Sequence, residues 1–273
     1  MNVALDLGTS YIRSLRRESD RLISRSTRTV YSVLPDSTSH RRLLDQAGLR
    51  FTMCDDGIVL LGDAAYESSG LFKVPCQSLL MDGALPENDP LSRQLCSSLI
   101  EAILPVADHH SDICCMTVPG GADLSGNVSR SDLEFFTRLV RLQGYEPRVF
   151  PASQALILAE LVSAAFTGVG IVFGAAGCEA MLAYRGEPVC HVRTEQGGNW
   201  IDAQLIRLFG KTLADESIDS NPADLPRHIQ QRREHIEDSL TRATDDFERA
   251  AARLSTGIIE ELLCSFSAEL NRK

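Results

Sequence analysis

The sequence predicts an α/β protein that uses one strand-turn-strand unit twice, and three stretches carry that prediction. Val3-Ala4-Leu5 enters Asp6-Leu7-Gly8-Thr9-Ser10 and leaves through Tyr11-Ile12-Arg13-Ser14-Leu15, a strand, a tight polar turn and a second strand. An apolar strand from Asp112 closes at Val118-Pro119-Gly120, then an amphipathic helix and a strand ending at Phe150 complete an α/β unit. Finally, Ile171-Val172-Phe173 runs through Gly174-Ala175-Ala176-Gly177 into Cys178–Tyr184, echoing the opening.

The opening turn has a chemical logic. An acidic residue ends a buried strand, Gly8 allows close backbone approach, and two hydroxyls follow with their amides turned toward one point. Such a turn can hold a phosphate. It is unlike a Walker loop, which needs a long glycine-rich arc, a lysine and a following helix. An ordinary hairpin that opens a sheet fits the same residues.

Composition narrows the class. With 273 residues and 44% apolar content the chain can bury one large or two moderate cores. A formal charge of −10 argues against nucleic-acid backbones as the main partner. The eight cysteines lack paired metal-ligand spacing, and Cys114-Cys115 would point to opposite faces of a strand, so a reducing compartment is expected. Because a strand begins at Val3 and no apolar run reaches spanning length, a cytoplasmic protein without signal peptide is expected.

Taken in order, 13–62 reads as hairpins and edges, with Arg16-Arg17 and Arg41-Arg42 on a solvated surface. Pro90 opens a helix whose Leu91, Leu95, Leu99 and Ile103 recur every four residues and which ends before Pro105. Ser131-Asp132-Leu133-Glu134 offers a capping box for a helix carrying Phe135, Leu139 and Leu142, capped by Gly144. Pro151–Ala159 is an alanine- and leucine-rich helix. Thr167–Gly170 reads as a turn, and Arg185-Gly186-Glu187-Pro188 as a hairpin turn before a strand through Val189 to Val192. Gly197-Gly198 permits a tight backbone path, and Asp202 suits a helix's first turn. After a polar stretch at 215–225, Ile229–Leu240 forms a charged helix, and Leu254, Ile258, Ile259, Leu262, Leu263 and Phe266 stripe a last one.

DLGTS after a Val-Ala-Leu strand resembles the first phosphate motif of the superfamily of actin, the bacterial rod-shape protein MreB, heat-shock chaperone ATPases and sugar kinases. Leu61-Gly62-Asp63-Ala64-Ala65, Val74-Pro75 and Met81-Asp82-Gly83 resemble the rod-shape proteins' small-domain passage. The resemblance implies duplicated ribonuclease-H-like domains, 1–150 and 151–273, around a nucleotide cleft, the second incomplete because a closing adenosine loop and returning helix have no counterpart. It further implies nucleotide contacts at Asp6, Gly8, Thr9, Ser10, Gly174, Gly177, Gly197, Gly198 and Glu234. Asp6 would act on magnesium through a water. Gln154, followed by Ala155 as in actin, would orient the attacking water; a capping or exposed glutamine is the alternative. The rod-shape proteins' glutamate has Val149 and Phe150 in its place.

The departures bear on function. The second loop's usual aspartate is expected at Phe173 or Gly174, according to register, and Cys178-Glu179 stand where hydroxyls belong, with Glu179 a candidate substitute ligand. Glu234 fits the adenosine-contacting helix while Glu237 takes the place of its lysine; a solvated helix with internal pairs fits equally. The expected protein is an MreB-like scaffold with a degenerate ATP site, binding ATP and Mg²⁺ weakly with little or no hydrolysis. Its partners would be further copies or other cytoskeletal or cell-envelope proteins, and any membrane contact would come through a loop or a partner. Two alternatives stand beside it: an active ATPase completed by a partner chain, and an assembly adaptor that does not polymerise.

Overall fold

A computed structural model describes residues 1–54, 57–87, 89–109, 111–118, 130–216, 225–239 and 245–272. Its contacts divide into two units, Met1–Pro151 and Ala152–Lys273.

In the first unit, alternation of apolar and polar residues builds the hairpin β1 (Val3–Leu7) and β2 (Tyr11–Glu18), extended by β3 (Arg21–Arg28). β8 (Ile113–Thr117) joins the other side of β1 in parallel, and β9 (Glu146–Val149) joins β8, so the sheet runs β3-β2-β1-β8-β9. Val3, Leu5, Leu7 and Ile12 point to one face and pack with residues of α3 (Pro90–Ile103) and α4 (Arg130–Leu142). Asp89 caps α3, accepting from the Leu91 and Ser92 amides, with Pro90 at the first turn as expected.

A second sheet, β5 (Thr52–Cys54), β6 (Gly57–Leu61), β4 (Val30–Leu34) and β7 (Gln77–Ser78), has its own core of Leu34, Leu44, Ile58, Leu60 and Ala65. Two helices accompany it, α1 (Thr38–Gln46) and α2 (Gly62–Phe72). The helix α1 corrects the reading of 13–62 as hairpins and edges. Ser37 accepts from the His40 amide and nucleates it, and Arg41 makes a two-pronged bond to Asp36. Arg16 also departs from the solvated reading: it is half-buried and paired with Glu18, while Arg17 is exposed.

Two further corrections concern α4. It already includes Arg130, so its described span starts one residue before the Ser131 expected to cap it, and Asp132 accepts from the Leu85 amide across 3.1 Å. Leu142 is exposed, not part of the buried stripe. The Pro119-Gly120 turn lies outside the described residues.

The second unit opens with α5 (Ala152–Glu160), followed by an antiparallel meander of β10 (Gly168–Phe173), β11 (Cys178–Tyr184) and β12 (Glu187–Thr194). The turn expected at Thr167–Gly170 is mostly strand, since Gly168 already pairs with Ala183. α5 packs on one face, so closely that a Cβ on Gly170 would meet the Ser153 carbonyl at 2.6 Å. On the other face lie α6 (Gly198–Glu216), α7 (Leu225–Ser239) and α8 (Asp246–Leu270), around Cys178, Ala180, Cys190, Ile201, Leu205, Phe247, Ile258 and Leu262. Leu263, expected in the α8 stripe, is exposed. β10 is an edge: among the described residues it lacks the outer parallel neighbour that β1 has in β8. It carries no charged residue, and its Val169 and Ile171 are exposed.

Candidate functional site

The two hairpins can be superimposed residue by residue from their own registers. In the first, Asp6 pairs with Arg13 and Leu7 with Ile12, and the Gly8 amide donates to the Tyr11 carbonyl at 2.8 Å. In the second, Val172 pairs with Glu179 and Phe173 with Cys178, and the Gly174 amide donates to the Gly177 carbonyl at 2.9 Å. Gly8 therefore corresponds to Gly174, Thr9 and Ser10 to Ala175 and Ala176, Asp6 to Val172 and Arg13 to Glu179.

This register corrects the sequence reading. The position equivalent to the first aspartate is Val172, not Phe173 or Gly174. The hydroxyl positions are the two alanines, and Cys178 and Glu179 lie beyond the turn.

The first turn is well supported. Thr29, fully buried, donates its Oγ1 to the Gly8 carbonyl and its amide to the Ser10 carbonyl, each at 3.0 Å. Among the described residues the Thr9 and Ser10 amides donate to no backbone acceptor. A Cβ on Gly8 would stand 2.7 Å from the Tyr11 carbonyl oxygen, so glycine is required there.

Asp6 is held on both flanks: Thr117 Oγ1 donates to its Oδ1 at 2.6 Å, and Arg13 Nη1 to its Oδ2 at 3.2 Å. Strand register puts Asp6, Arg13, Tyr11 and Thr117 on the same, more exposed face of the sheet. Arg28, opposite Tyr11, lies over the Tyr11 ring at 4.7 Å and the Tyr66 ring at 3.8 Å.

Sequence reading misses Arg13, Thr117 and Arg28 as members of this face. The signal is present for Arg13: a hairpin turning at Gly8–Tyr11 necessarily faces it to Asp6.

In the second unit Gly174, Gly177, Gly197 and Gly198 do come together. The Gly198 amide donates to the Gly174 carbonyl at 3.0 Å and the Asn199 amide to the Ala175 carbonyl at 2.9 Å, seating the start of α6 on the turn. A Cβ on Gly197 would meet the Gly174 carbonyl oxygen and the Gly177 nitrogen, both at 2.5 Å. Because α6 starts at Gly198, Asp202 falls in its second turn, not its first. There it takes a two-pronged bond, 2.6 and 3.1 Å, from Arg233 of α7, a buried arginine whose guanidinium also packs on Gly198. Burial pushes the Asp202 carboxyl up, and Arg233 opposes that shift without cancelling it. Glu234 accepts from Gln230 Nε2 at 2.8 Å, one turn earlier on α7. The Glu237 side chain lies outside the described residues.

Glu179 does not substitute as a loop ligand. It is buried, its Oε1 accepts the Ser153 amide at the start of α5 at 2.5 Å, and His191 Nε2 lies 3.5 Å from its Oε2. Burial works to raise its carboxyl, and the His191 and Ser153 bonds outweigh this and bring it below the usual range. Gln154 donates its side-chain amide to the Gly186 carbonyl at 2.9 Å, at the opposite end of β11 from the Gly174–Gly177 turn.

The first turn thus fits a phosphate: two available amides, two hydroxyls and an adjacent arginine. Magnesium, which requires oxygen ligands, fits poorly. Both Asp6 oxygens already accept hydrogen bonds, from Thr117 and from Arg13, so the carboxylate is tied to the protein rather than held toward a hydrated ion.

A family model described as Volactin matches residues 1–273, the whole chain. The chain belongs to the Volactin family. No curated protein matches it. Solved structures give this Volactin-family chain its fold class. MreB5 of Spiroplasma citri bound to AMPPNP is similar over 97% of this chain and 78% of its own, with a TM-score of 0.63 and 11% identity. The ADP-bound MreB5 covers 99% and 82%, with a TM-score of 0.60 and 12% identity. A MamK double helical filament covers 83% of this chain at a TM-score of 0.53 and 15% identity, and the match spans 64% of the MamK chain. The fold is therefore actin-like, of the MreB and MamK kind. No helix among the described residues is long and apolar enough to cross a membrane.

Proposed function

We propose that this Volactin-family chain is an actin-fold scaffold protein that self-associates, binds adenine nucleotide weakly through the turn Asp6–Ser10, and hydrolyses it slowly or not at all. The observation that carries the reading is the mismatch between equivalent hairpins. The first keeps a carboxylate, two hydroxyls and an arginine, whereas the second has valine, two alanines and a glutamate at those four positions. A phosphoryl-transfer site needs charge neutralisation and a positioned nucleophile. The bonds of Gln154 to Gly186 and of Glu179 to Ser153 support the reading of slow or absent hydrolysis.

Self-association is supported by analogy of fold with the MamK filament. On this reading 1–150 and 151–273 are the two actin-like domains, Gly174, Gly177, Gly197 and Gly198 are packing glycines retained from a nucleotide loop, and the protein works in the cytoplasm. Calorimetric titration with ATP, together with phosphate release, tests the nucleotide half. Weak binding without turnover is expected, and steady turnover that survives Asp6→Ala would overturn it. Sedimentation across protein concentration tests the scaffold half: a critical concentration is expected, and a monomer at every concentration would favour the adaptor.

A further inference from the structure

We infer that nucleotide phosphate is held at Asp6–Ser10 without magnesium, with the Arg13 guanidinium supplying the positive charge. The inference rests on the nucleotide reading above and concerns how that site is built.

A carboxylate that positions a hydrated metal must present its oxygens to the metal's water shell. Here Asp6 Oδ1 accepts the Thr117 hydroxyl at 2.6 Å and Oδ2 accepts Arg13 Nη1 at 3.2 Å. The pairing is built into the sheet, because Asp6 lies directly opposite Arg13 on β2 and directly opposite Thr117 on β8. Neither partner depends on a loop for its position.

The arrangement inverts the local electrostatics. A lone aspartate repels phosphate and attracts a dication. An aspartate neutralised by an arginine does neither, and it holds the guanidinium beside the turn. Only one of the five guanidinium N–H groups is needed for the Asp6 bond. Others remain to chelate a phosphate oxygen alongside the Thr9 and Ser10 amides, which lie a few residues back along the chain. Tyr11 supports the side chain from the same face, its ring centroid 4.7 Å from the Arg13 guanidinium carbon.

Arg28 adds a second positive group on that face, and it too lies over the Tyr11 ring. Asp63 accepts the Arg28 amide at 3.3 Å. In the second hairpin the position equivalent to Arg13 is Glu179, so the arginine is a property of the first turn alone.

Calorimetric titration of the full chain with ADP and with ATP, in excess magnesium and in excess EDTA, tests this. Equal affinity in both buffers is expected. Arg13→Ala is expected to weaken binding by at least about tenfold, the loss of a charge-assisted hydrogen bond to phosphate. Arg13→Lys restores part of it. Asp6→Asn keeps an acceptor for Thr117 and releases the Arg13 charge from its carboxylate partner, leaving that charge to the phosphate, so it should tighten binding about threefold. A metal-holding Asp6 would give the opposite sign. Far-ultraviolet circular dichroism of each variant separates misfolding from loss of the site.

Binding that collapses in EDTA, or an Asp6→Asn variant that weakens, would overturn the metal-free site while leaving the nucleotide reading in place. Absence of binding in both buffers would overturn the nucleotide reading, and this inference with it.

Discussion

Glu179 shows how one side chain can be moved from chemistry to architecture. Its carboxylate is buried, and it satisfies an orphan amide in the first turn of α5 while facing His191. Its folded pKa lies below the usual value, so folding favours the ionised form. The sign follows: the stabilisation is fully present above the ordinary glutamate pKa, roughly 4.3, and is lost as pH falls through the lower folded value. Denaturant titrations at neutral pH and at about pH 3.5 should therefore show a loss that Glu179→Gln reduces. Glu179→Ala should cost about 1 to 2 kcal/mol at neutral pH, because it leaves the buried Ser153 amide at the start of α5 without its acceptor. A variant as stable as the parent at neutral pH would show that the pair contributes nothing to folding.

Elements and their junctions account for what is legible in the sequence. The opening hairpin, the Pro90 helix, the β-strand at Ile113–Thr117 and the second meander can be read because apolar periodicity and turn residues agree there. The small helix α1 escapes such a reading because its Ser37 cap lies amid basic and polar residues that carry no clear period. At the site, Asp6 and Gly8 can be read from a motif, but Arg13 and Thr117 require strand register, and Thr117 lies 111 residues from Asp6 in sequence. The misplaced aspartate position has the same origin: without register, Val172, Phe173 and Gly174 are equivalent candidates.

Two glycines separate packing from propensity at this scale. Gly197→Ala would place a methyl against backbone of the Gly174–Gly177 turn on three sides, and a loss of about 2 kcal/mol or more is expected from thermal unfolding. Gly257 stands inside α8, where an added methyl group would find nothing within 4 Å. Gly257→Ala should stabilise by about 1 kcal/mol, by removing unfolded-state freedom and raising helix propensity. A destabilised Gly257→Ala would mean that this face of α8 is in use by a contact made outside the single chain.

For the molecule as a whole, the formal charge of −10 sets the terms on which copies can meet. Like-charged chains repel over roughly 10 Å at 0.1 M salt and over about 3 Å at 1 M. Self-association should therefore strengthen with ionic strength, read as a falling critical concentration in sedimentation between low and molar salt. A critical concentration that rises with salt would place ion pairs at the heart of the contact instead. The uncharged margin of β10 has a practical corollary. Six residues without a charge or a proline give an extended strand from any neighbour nothing to collide with, and the exposed Val169 and Ile171 reward its approach. Ile171→Lys, a charged gatekeeper on this border, is therefore expected to lower the light scattering of concentrated folded protein, and scattering equal to the parent's would show that the border plays no part in association.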